Sequence, residues 1–509
     1  MSKHTETELK LRCTDESVWE RIMTAEALTN LAVLGTAKTE QLEARYFDTA
    51  NHSLQNAKLA YRVRREGEVW VATVKSGGSS KGGLHARQEW NIAVDREEPD
   101  ITVFLNTEVG SRLQKVIGDQ ILEPILITRF ERQILEVIMH DGATIEVAAD
   151  KGEIIAGEKT APILEVELEL KSGQPRDLFL LGAALAKEYP LLPEPDSKYY
   201  RGLLLAGLST EIPRRNELPQ VDKSRPVSEV LRVVLVDLIA QVLLAQRSFL
   251  EHKEQPGLVH ELRICLRRLR SVLEFSEPLA VIKEYSRYQD ELRKFGRKVE
   301  ALRELDVAYC SWQQFLGYQM VSMEGKVWLG EVLTEKRSQE AEKIYAEYNS
   351  GLTTSTLLGL WAELLDEDCQ HIIPHDCTVD DYVITGLLSW LRIVGKQEKS
   401  VEWTDAENVH KIRLWVKKIR YTMEVLQPDL KGTPRLLLKL EKLQDTLGII
   451  SDAKSTEGLL RELLRGKSSK GLPLEAGMLI GWQCHETLTL RKKLDKYWLK
   501  FNRTVQKWK

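Results

Sequence analysis

The stretch Thr5-Glu6-Thr7-Glu8-Leu9-Lys10-Leu11, close to the N-terminus, places charged side chains at every second position. Because successive side chains of a β-strand point to opposite faces, Glu6, Glu8 and Lys10 share one face and the two leucines share the other. A half-buried strand usually packs its apolar face and leaves its polar face in water. The pattern therefore predicts a strand whose leucine face packs against other elements and whose second face carries both acids and a base.

Similar strands recur over residues 3 to about 170, separated by Gly-rich or polar turns such as 76–80 and 140–142, with helices expected at about 15–34 and 176–189. For any one strand, the simpler interpretation is that its charged face is exposed to solvent. Taken together, so many short and evenly spaced strands favour a barrel or a sandwich. The further charged faces comprise Arg62 and Arg64, Arg87 and Glu89, the triplet Glu165, Glu167 and Glu169, and, more mildly, Thr73 and Lys75.

A closed sheet would turn these charged faces into the lining of a lumen. Like charges then lie close together in a medium of reduced dielectric constant, which is costly unless counter-ions are present. Acidic and basic strands together suit a polyanion bound by Arg and Lys, with divalent cations bound by carboxylates. The reaction indicated is phosphoryl transfer, in which a protein mainly positions groups and neutralises charge.

Glu6-Thr7-Glu8-Leu9-Lys10 resembles the ExExK signature of the CYTH, or triphosphate tunnel metalloenzyme, superfamily, and the resemblance covers roughly residues 3–206. The short motif gains specificity from the motifs that follow it in order. These are Tyr46-Phe47-Asp48, Arg62-Val63-Arg64, Lys75, residues 82–89 (GGLHARQE), the strand from Arg129 to Arg132, Glu146 with Asp150, Glu165-Val166-Glu167, and Ser197-Lys198 ahead of Arg201-Gly202.

The resemblance implies a closed eight-stranded antiparallel β-barrel with flanking helices, whose tunnel holds a linear triphosphate. It implies hydrolysis, with one Mg²⁺ bridging phosphate oxygens and a second activating water. The implied metal ligands and catalytic carboxylates are Glu6, Glu8, Glu165 and Glu167, with Glu169 as a substitute or helper. Lys10, Arg62, Arg64, Lys75, Arg87 and Lys198 would bind phosphate. Arg132 or Arg129 would be a further basic ligand, and Asp150 would orient a base or approach a metal.

After the barrel the composition changes. Residues 208–226 contain three prolines and many charges, and we interpret them as a linker between a domain at 1–207 and a second at 227–509. The second domain has helical periodicity throughout, which predicts an all-α bundle. An internal repeat divides it at about 227–370 and 371–509, so the complete chain is predicted to be an α+β multidomain protein.

The repeat is clearest where residues 259–275 (VHELRICLRRLRSVLEF) align without gaps on the stretch that begins at Val409. Four basic positions recur at offsets that fall within about an 80° arc of a helix, beside a separate apolar stripe. A second echo places Asp306 and Asp452 at equivalent positions. The basic positions are His260, Arg263, Arg267 and Arg270 in one copy and His410, Arg413, Lys417 and Arg420 in the other.

This duplicated basic face resembles the CHAD domain, a conserved-histidine α-helical domain, over about residues 227–509. The resemblance implies a repeated four-helix-type bundle whose basic faces bind inorganic polyphosphate, through the eight repeated positions. A solvated basic face is the simpler alternative, and metal ligation by the two histidines is a weaker one, because no nearby Cys or second His completes a compact site.

The remaining features exclude several classes of protein. The six cysteines are scattered and form no CxxC pair, which argues against a zinc knuckle or a disulfide framework. The hydrophilic N-terminus and the absence of a transmembrane-length apolar run predict a cytoplasmic protein without a membrane partner. No P-loop, HExxH or Ser/His/Asp signature is present, no nucleic-acid partner is expected, and the sequence does not specify an oligomeric state.

The sequence therefore predicts a Mg²⁺-dependent inorganic triphosphatase, with Mn²⁺ as an alternative metal, that converts tripolyphosphate to pyrophosphate and phosphate and carries a polyphosphate-binding helical domain. One alternative is a non-catalytic polyphosphate-binding protein. The other keeps the fold but hydrolyses or cyclises an organic triphosphate such as ATP or thiamine triphosphate.

Overall fold

The structure, a computed structural model, describes residues 5–210, 217–279, 281–318, 328–366, 377–395, 401–403, 405–465 and 472–508. The chain divides into two compact units. The N-terminal unit comprises residues 1–215 and 349–366, and the helical unit comprises 216–348 and 367–509. Cys369 and the predicted repeat boundary near 370 lie outside the described residues, and the predicted domain boundaries at 207 and 227 stay predictions.

The described residues of the N-terminal unit form nine strands. They are β1 (Thr5–Cys13), β2 (Lys38–Thr49), β3 (Leu59–Glu66), β4 (Val69–Lys81), β5 (Leu84–Val94), β6 (Leu122–Ile138), β7 (Thr144–Ala156), β8 (Lys159–Ser172) and β9 (Leu191–Pro193). The sheet runs β5-β4-β3-β2-β6-β7-β8-β1-β9, and an additional pairing of β5 with β1 closes the first eight strands into a barrel. The predicted closed eight-stranded antiparallel barrel is confirmed.

The described helices of the N-terminal unit are α1 (Glu16–Ile22), α2 (Glu26–Thr29), α3 (Ser53–Asn56), α4 (Gly110–Ile117), α5 (Pro175–Glu188), α6 (Lys198–Ala206) and α12 (Leu352–Leu364). Those of the helical unit are α7 (Val227–Glu251), α8 (Leu258–Ser276), α9 (Tyr285–Lys298), α10 (Glu300–Gly317), α11 (Trp328–Tyr348), α13 (Val379–Gly395), α14 (Ala406–Leu426), α15 (Thr433–Leu464) and α16 (Leu472–Gln506). The predicted all-α second half is confirmed. Among the described residues, no helix has the length and apolar character needed to cross a membrane.

Strand β1 closes the barrel by changing partner along its length. One edge pairs with β8 from Glu8 to Arg12, while the other pairs with β5 up to Leu9 and with β9 from Leu11 onward. At the change, the Lys10 N–H donates to the Gly83 carbonyl at 2.9 Å, and the Lys10 carbonyl accepts from the Glu194 N–H at 2.9 Å. Gly83 has a φ of +89°, and a Cβ there would lie 2.8 Å from the Lys10 oxygen. A larger residue is therefore excluded at this turn.

The turn between β4 and β5 differs from the sequence-based prediction. The Gly-rich stretch 76–80 was predicted to separate two strands, but β4 continues through it to Lys81. The register shifts between Ser76 and Ser79, so the extra residues form a bulge within the strand. The chain reverses later, at Gly82 and Gly83, which both have positive φ.

The outer face of the barrel is apolar and is covered by helices. Leu9 and Leu11 of β1 are completely buried beneath α5, where a Cβ at Gly182 would lie 2.7 Å from Leu9 Cδ2. Such a close approach requires a residue without a side chain at Gly182. Because these two leucines face outward, the alternation of β1 turns Glu6, Glu8 and Lys10 into the lumen.

Helix α12 packs on α5 although it follows the first helices of the helical unit in the chain. Trp361 stacks on Phe179 with ring centroids 4.6 Å apart, and Ser355 Oγ donates to the Ala183 carbonyl at 2.7 Å. Both aromatic rings are buried, and Asp366 forms an ion pair with Arg176 at 3.2 Å. The N-terminal unit therefore includes a helix encoded about 150 residues after the end of the barrel.

The helical unit is organised around α8 and α14, the two repeated basic helices. These helices contact each other; α8 also packs against α7 and α9, and α14 against α13 and α15. Their apolar stripes form the contacts, since Leu262, Leu266 and Leu269 of α8 and Ile412 and Val416 of α14 are at most 1% exposed. The repeated sequence therefore brings two equivalent helices together in one core.

We expect Trp361→Ala to lower the free energy of unfolding by about 3–5 kcal/mol, because it removes a buried ring from the contact between α12 and α5. Urea denaturation of the intact chain measures this change. Leu352→Ala is the matched control on the same helix, because Leu352 is 44% exposed. Its expected effect is within about 0.5 kcal/mol. Equal effects of both substitutions would show that α12 does not stabilise the unit.

Candidate functional site in the barrel tunnel

The interior of the barrel is a cavity of about 400 Å³, which we call the tunnel. Six carboxylates and eight basic side chains line it, so the lining carries more positive than negative groups. The acids are Glu6, Glu8, Glu89, Glu146, Glu167 and Glu169, and the bases are Lys10, Arg62, Arg64, Lys75, Arg87, Arg132, Lys171 and Lys198. The structure thus brings most of the predicted site residues together in one lumen.

Lys10 lies between acids of two adjacent strands. Its Nζ is 2.5 Å from Glu167 Oε1 and 3.2 Å from Glu8 Oε1. Burial opposes the charge on Lys10, but Glu167 and Glu8 outweigh it and raise the pKa of the ammonium above its usual value. The register that pairs Lys10 with Glu167 across β1 and β8 fixes this contact.

Lys75 has the corresponding position on the other side of the lumen. Its Nζ lies 2.9 Å from Glu6 Oε2 and 2.5 Å from Glu89 Oε2. Burial raises the pKa of Glu6 above its usual range, although Lys75 opposes the rise. For Glu89, burial is outweighed by Lys75, so its pKa lies well below the usual range. The pKa values of the two carboxyl groups, which share the ammonium of Lys75, are therefore shifted in opposite directions.

A second network closes one end of the tunnel, where α6 packs against β6, β7 and β8. Arg132 donates to both oxygens of Asp150, at 2.8 and 2.7 Å, and to Glu167 at 2.6 Å. Lys198 Nζ, from the first turn of α6, lies 2.7 Å from Asp150, 2.9 Å from Glu167 and in contact with Glu165. Asp150 therefore orients Arg132 and Lys198, which is one of the two roles predicted for it.

Glu165 lies apart from the tunnel lining. It is completely buried and bound by Lys198 and by Arg201, whose Nη1 is 2.9 Å from Glu165 Oε2. The sequence-based prediction grouped Glu165 with Glu167 as metal ligands and left Glu169 as a substitute. The structure instead exposes Glu167 and Glu169 to the tunnel. Glu167 and Glu169 are therefore the β8 carboxylates of that triplet that line the tunnel, and the assignment of metal ligands among the three stays a prediction.

Three carboxylates form a row across adjacent strands. Glu169 of β8 is paired in register with Glu8 of β1 on one side and with Glu146 of β7 on the other. Lys171 Nζ is 2.8 Å from Glu169 and 3.5 Å from Glu146. Burial raises the pKa of Glu169, and the charges on Glu146 and Glu8 add to the rise. A divalent cation beside this row would relieve that repulsion.

A second acidic group consists of Asp150, Glu165 and Glu167, which each offer an oxygen within 4.8 Å of the others. The ammonium of Lys198 already lies among these oxygens. A cation there would have to displace Lys198, as a cation at the row would have to displace Lys171, but all three carboxylates of the row line the tunnel. Carboxylate oxygens are the donors that hard divalent cations prefer, so the residues of the row fit such an ion.

The arginines of the tunnel differ in how fully they are paired. Arg62 Nη2 is 3.6 Å from Glu89, and Arg64 pairs with Glu66 near the rim. Burial and the neighbouring cations Arg62 and Arg132 lower the pKa of Arg64, although Glu66 opposes this. Arg87 donates to Nδ1 of the buried His85 at 3.0 Å. These guanidinium groups supply the excess positive charge of the lumen.

Arg129 lies on the outer face of the barrel. Its side chain is 56% exposed and pairs with Glu43 at 3.1 Å and Glu153 at 3.9 Å. Arg132 is three residues further along β6 and therefore points to the opposite face, into the tunnel. Of the two arginines predicted as alternatives, only Arg132 is placed for a ligand in the lumen.

The lining residues that were not predicted as ligands include Tyr46, Glu89, Glu146 and Lys171. Strand alternation alone identifies the last three, since each lies an even number of residues from a predicted site residue on its own strand. Tyr46 belongs to one of the ordered motifs, but no ligand was predicted on β2 from which alternation could assign it to the tunnel face. Burial opposes ionisation of its hydroxyl, but Arg62 and Lys75 hold the pKa of Tyr46 below its usual value.

The repeated basic helices form a second charged site, in the helical unit. We call Arg263, Arg267, Arg303, Arg413 and Lys417 the basic cluster. Burial lowers the pKa of Lys417 to about 6, and Arg267 and Arg413 add to the shift. Burial also lowers the pKa of His260 to about 4, with Arg303 as the strongest neighbouring charge. These shifts show cations of α8, α10 and α14 interacting with each other.

Few acids neutralise the basic cluster. Arg263 is 3.4 Å from Glu300, and Arg413 is 3.5 Å from Asp452. Within the described ranges, Arg267, Arg303 and Lys417 form no ion pair. The predicted equivalence of Asp306 and Asp452 does not extend to their partners, since Asp306 binds the buried Arg337 at 2.8 Å.

The remaining predicted polyphosphate ligands lie around this cluster. Arg270 is half-buried, and burial with the neighbouring charges of Arg293 and Arg267 lowers its pKa. Arg420 is already paired with Glu424 at 2.7 Å and with Glu441 at 3.6 Å. His410 is exposed and lines a separate cavity. The two copies of the basic face are therefore not equally available to a ligand.

Comparison with known protein families identifies two different domains in the two parts of the chain. Residues 4–203 match the CYTH domain and residues 234–461 match the CHAD domain. Over 160 residues the chain is 36% identical to an inorganic triphosphatase of Haemophilus influenzae, a match that covers 31% of this chain and only 44% of that relative.

Two solved structures are also similar. The CHAD domain of the plant Ricinus communis is 19% identical with a TM-score of 0.46, covering 58% of this chain and 97% of that one. A Hippeastrum protein, described as a putative adenylyl cyclase with a dominant triphosphatase activity, is 20% identical with a TM-score of 0.30, covering 41% of this chain and 98% of that one. From the two domain matches and the fold, the chain belongs to the proteins in which a CYTH domain is followed by a CHAD domain.

Proposed function

We propose that the N-terminal unit is a divalent-metal-dependent triphosphatase that hydrolyses inorganic triphosphate to pyrophosphate and phosphate. The observation that carries this proposal is the tunnel itself, which encloses eight basic and six acidic side chains in about 400 Å³. So many buried charges are costly unless a ligand and its counter-ions use them. The 36% identity to an inorganic triphosphatase supports the same activity.

The basic side chains would bind the phosphate oxygens. Arg62, Arg64 and Arg132 offer planar guanidinium groups, which suit bidentate contact with phosphate. Arg64 is accessible to such a ligand, because its ion-pair partner among the described residues, Glu66, lies near the rim. Lys10 and Lys198 add point charges at the end of the tunnel that α6 covers.

The row of Glu8, Glu169 and Glu146, with Glu6 beside it on β1, would hold the divalent cation, which we propose to be Mg²⁺ or Mn²⁺. Such an ion, when bound, neutralises phosphate oxygens and activates water. The protein contributes fixed positions for both charges, because the carboxylates and the bases stand on the strands of one closed sheet. Asp150 and Glu165 keep Arg132 and Lys198 in place.

A hydrolase accounts for the carboxylates better than a binding protein does. Binding a polyanion requires bases, and each acid in the lumen would weaken it. The six acids are useful when a cation must bind beside the phosphate. An organic triphosphate remains the alternative substrate, and product analysis with ATP distinguishes it.

We expect purified protein to release phosphate from tripolyphosphate faster than from ATP, pyrophosphate or long-chain polyphosphate, and only with Mg²⁺ or Mn²⁺ present.

Arg64→Ala should lower the catalytic efficiency on tripolyphosphate by about 100-fold, as expected when a positioned charge is removed from a phosphoryl-transfer site. A phosphate-release assay measures both effects.

Arg65→Ala is the matched control, since Arg65 is the next residue of β3 and its side chain is 54% exposed on the outer face. Its catalytic efficiency should stay within about twofold of the wild type. Equal losses in the two variants would contradict the assignment of Arg64 to the tunnel ligand. Absence of metal-dependent turnover on every substrate would contradict the triphosphatase proposal.

We further propose that the helical unit binds inorganic polyphosphate at the basic cluster. Support comes from the excess of cations over acids there. It also comes from the pKa of Lys417, which burial lowers and to which the neighbouring charges of Arg267 and Arg413 add, because an anion would relieve that repulsion. Contacts with a polyanion are electrostatic, so the affinity should fall steeply as salt increases.

Arg267→Ala should weaken polyphosphate binding about 10-fold, because Arg267 interacts with both helices of the repeat and forms no ion pair within the described part of the chain. Arg435→Ala is the control, since it removes the same charge from an exposed position of α15. Calorimetric titration with polyphosphate measures both. Equal weakening in the two variants would show that net charge, and not the basic cluster, determines binding.

A further inference from the structure

A second cavity lies within the helical unit, shares Arg413 with the basic cluster and is lined by residues of α14, α15 and α16. Its volume is about 540 Å³. Apolar side chains such as Leu447 and Ile480 form part of its wall, and Trp403 lies at its border. A cavity of this size matches those that bind small organic ligands, which are typically about 300–1,000 Å³.

The polar part of the wall is basic. His410 and Arg413 of α14, Lys454 of α15 and Arg491 of α16 all line the cavity. The acid in this wall, Glu457, is already bound to Arg461 at 2.7 Å. In the described ranges of the helical unit, Lys454 and Arg491 form no ion pair. This side of the cavity is therefore suited to an anionic group.

A buried amide gives the second, independent observation. Gln483 lines the cavity and is 6% exposed, and its Oε1 has no hydrogen-bond partner among the described residues. Leaving a buried acceptor unpaired costs about 1–3 kcal/mol, so a ligand with an N–H donor would be favoured there. The Nε of Arg413 is likewise buried without a partner in the described part of the chain.

Inorganic phosphates do not account for this wall, because they have neither an N–H donor nor an apolar surface. We propose that the cavity binds a purine nucleotide. Its phosphates would lie against Arg413, Lys454 and Arg491, its base would pack on the apolar wall near Trp403, and an N–H of the base would donate to Gln483 Oε1. The helical unit would then carry a nucleotide site in addition to its proposed polyphosphate site.

The test is a calorimetric titration of ADP into the intact chain and its variants. ADP is expected to bind the wild type, and Gln483→Leu and Arg491→Ala are each expected to weaken that binding about 10-fold. Lys492→Ala is the matched control, because Lys492 is the exposed neighbour of Arg491 on α16 and does not line the cavity. Its affinity for ADP should equal that of the wild type.

Absence of ADP binding to the wild type, or equal affinity in the wild type and Arg491→Ala, would overturn the proposal. Arg491 is exposed, so its variant carries the test even if Gln483→Leu fails to fold. Tripolyphosphate turnover by the same variants should be unchanged. A failure of the proposed triphosphatase would appear in that turnover alone and is therefore distinguishable from a failure of the nucleotide site.

Discussion

Pairing between acids and bases across the closed lumen is the interaction on which the N-terminal unit depends. Lys10 lies within 3.2 Å of Glu8 and Glu167, and Lys75 within 2.9 Å of Glu6 and Glu89. Lys198 lies among Glu167 and two further acids. Removing one member would leave a buried charge unpaired, which is strongly destabilising. The charges that would bind a ligand therefore also stabilise the barrel through their mutual ion pairs, and any ligand must replace those pairs.

The apolar outer face sets which charges enter the lumen. Leu9 and Leu11 are buried beneath α5. Because side chains alternate along β1, the acids of the strand and Lys10 must then point into the lumen. Helix α12 extends this outer layer through the stack of Trp361 on Phe179. The helices that follow the barrel in the chain thus do not all belong to the helical unit, because α12 is part of the N-terminal unit.

Much of this arrangement was predictable from the sequence. Alternation in β1, β3 and β8 identifies the charged faces, and the ordered motifs indicate closure into a barrel. The location of Glu165 was not predictable, because its alternation matches that of Glu167 and only the packing of α6 removes it from the tunnel. The bulge at Ser76 was missed because Gly77 and Gly78 also suit a turn. The packing of α12 against α5 was not predictable either, because it depends on contacts between residues far apart in the sequence, which local periodicity does not encode.

The affinity for tripolyphosphate without divalent metal, compared between the wild type and Glu8→Gln, tests the central claim most directly. Calorimetry in EDTA should show about fivefold tighter binding to Glu8→Gln, because the substitution removes a lumen charge and frees Lys10 from one partner. Glu153→Gln, on the outer face, should not change the affinity. Weaker or unchanged binding to Glu8→Gln would contradict the account of a lumen whose acids and bases compete with the ligand.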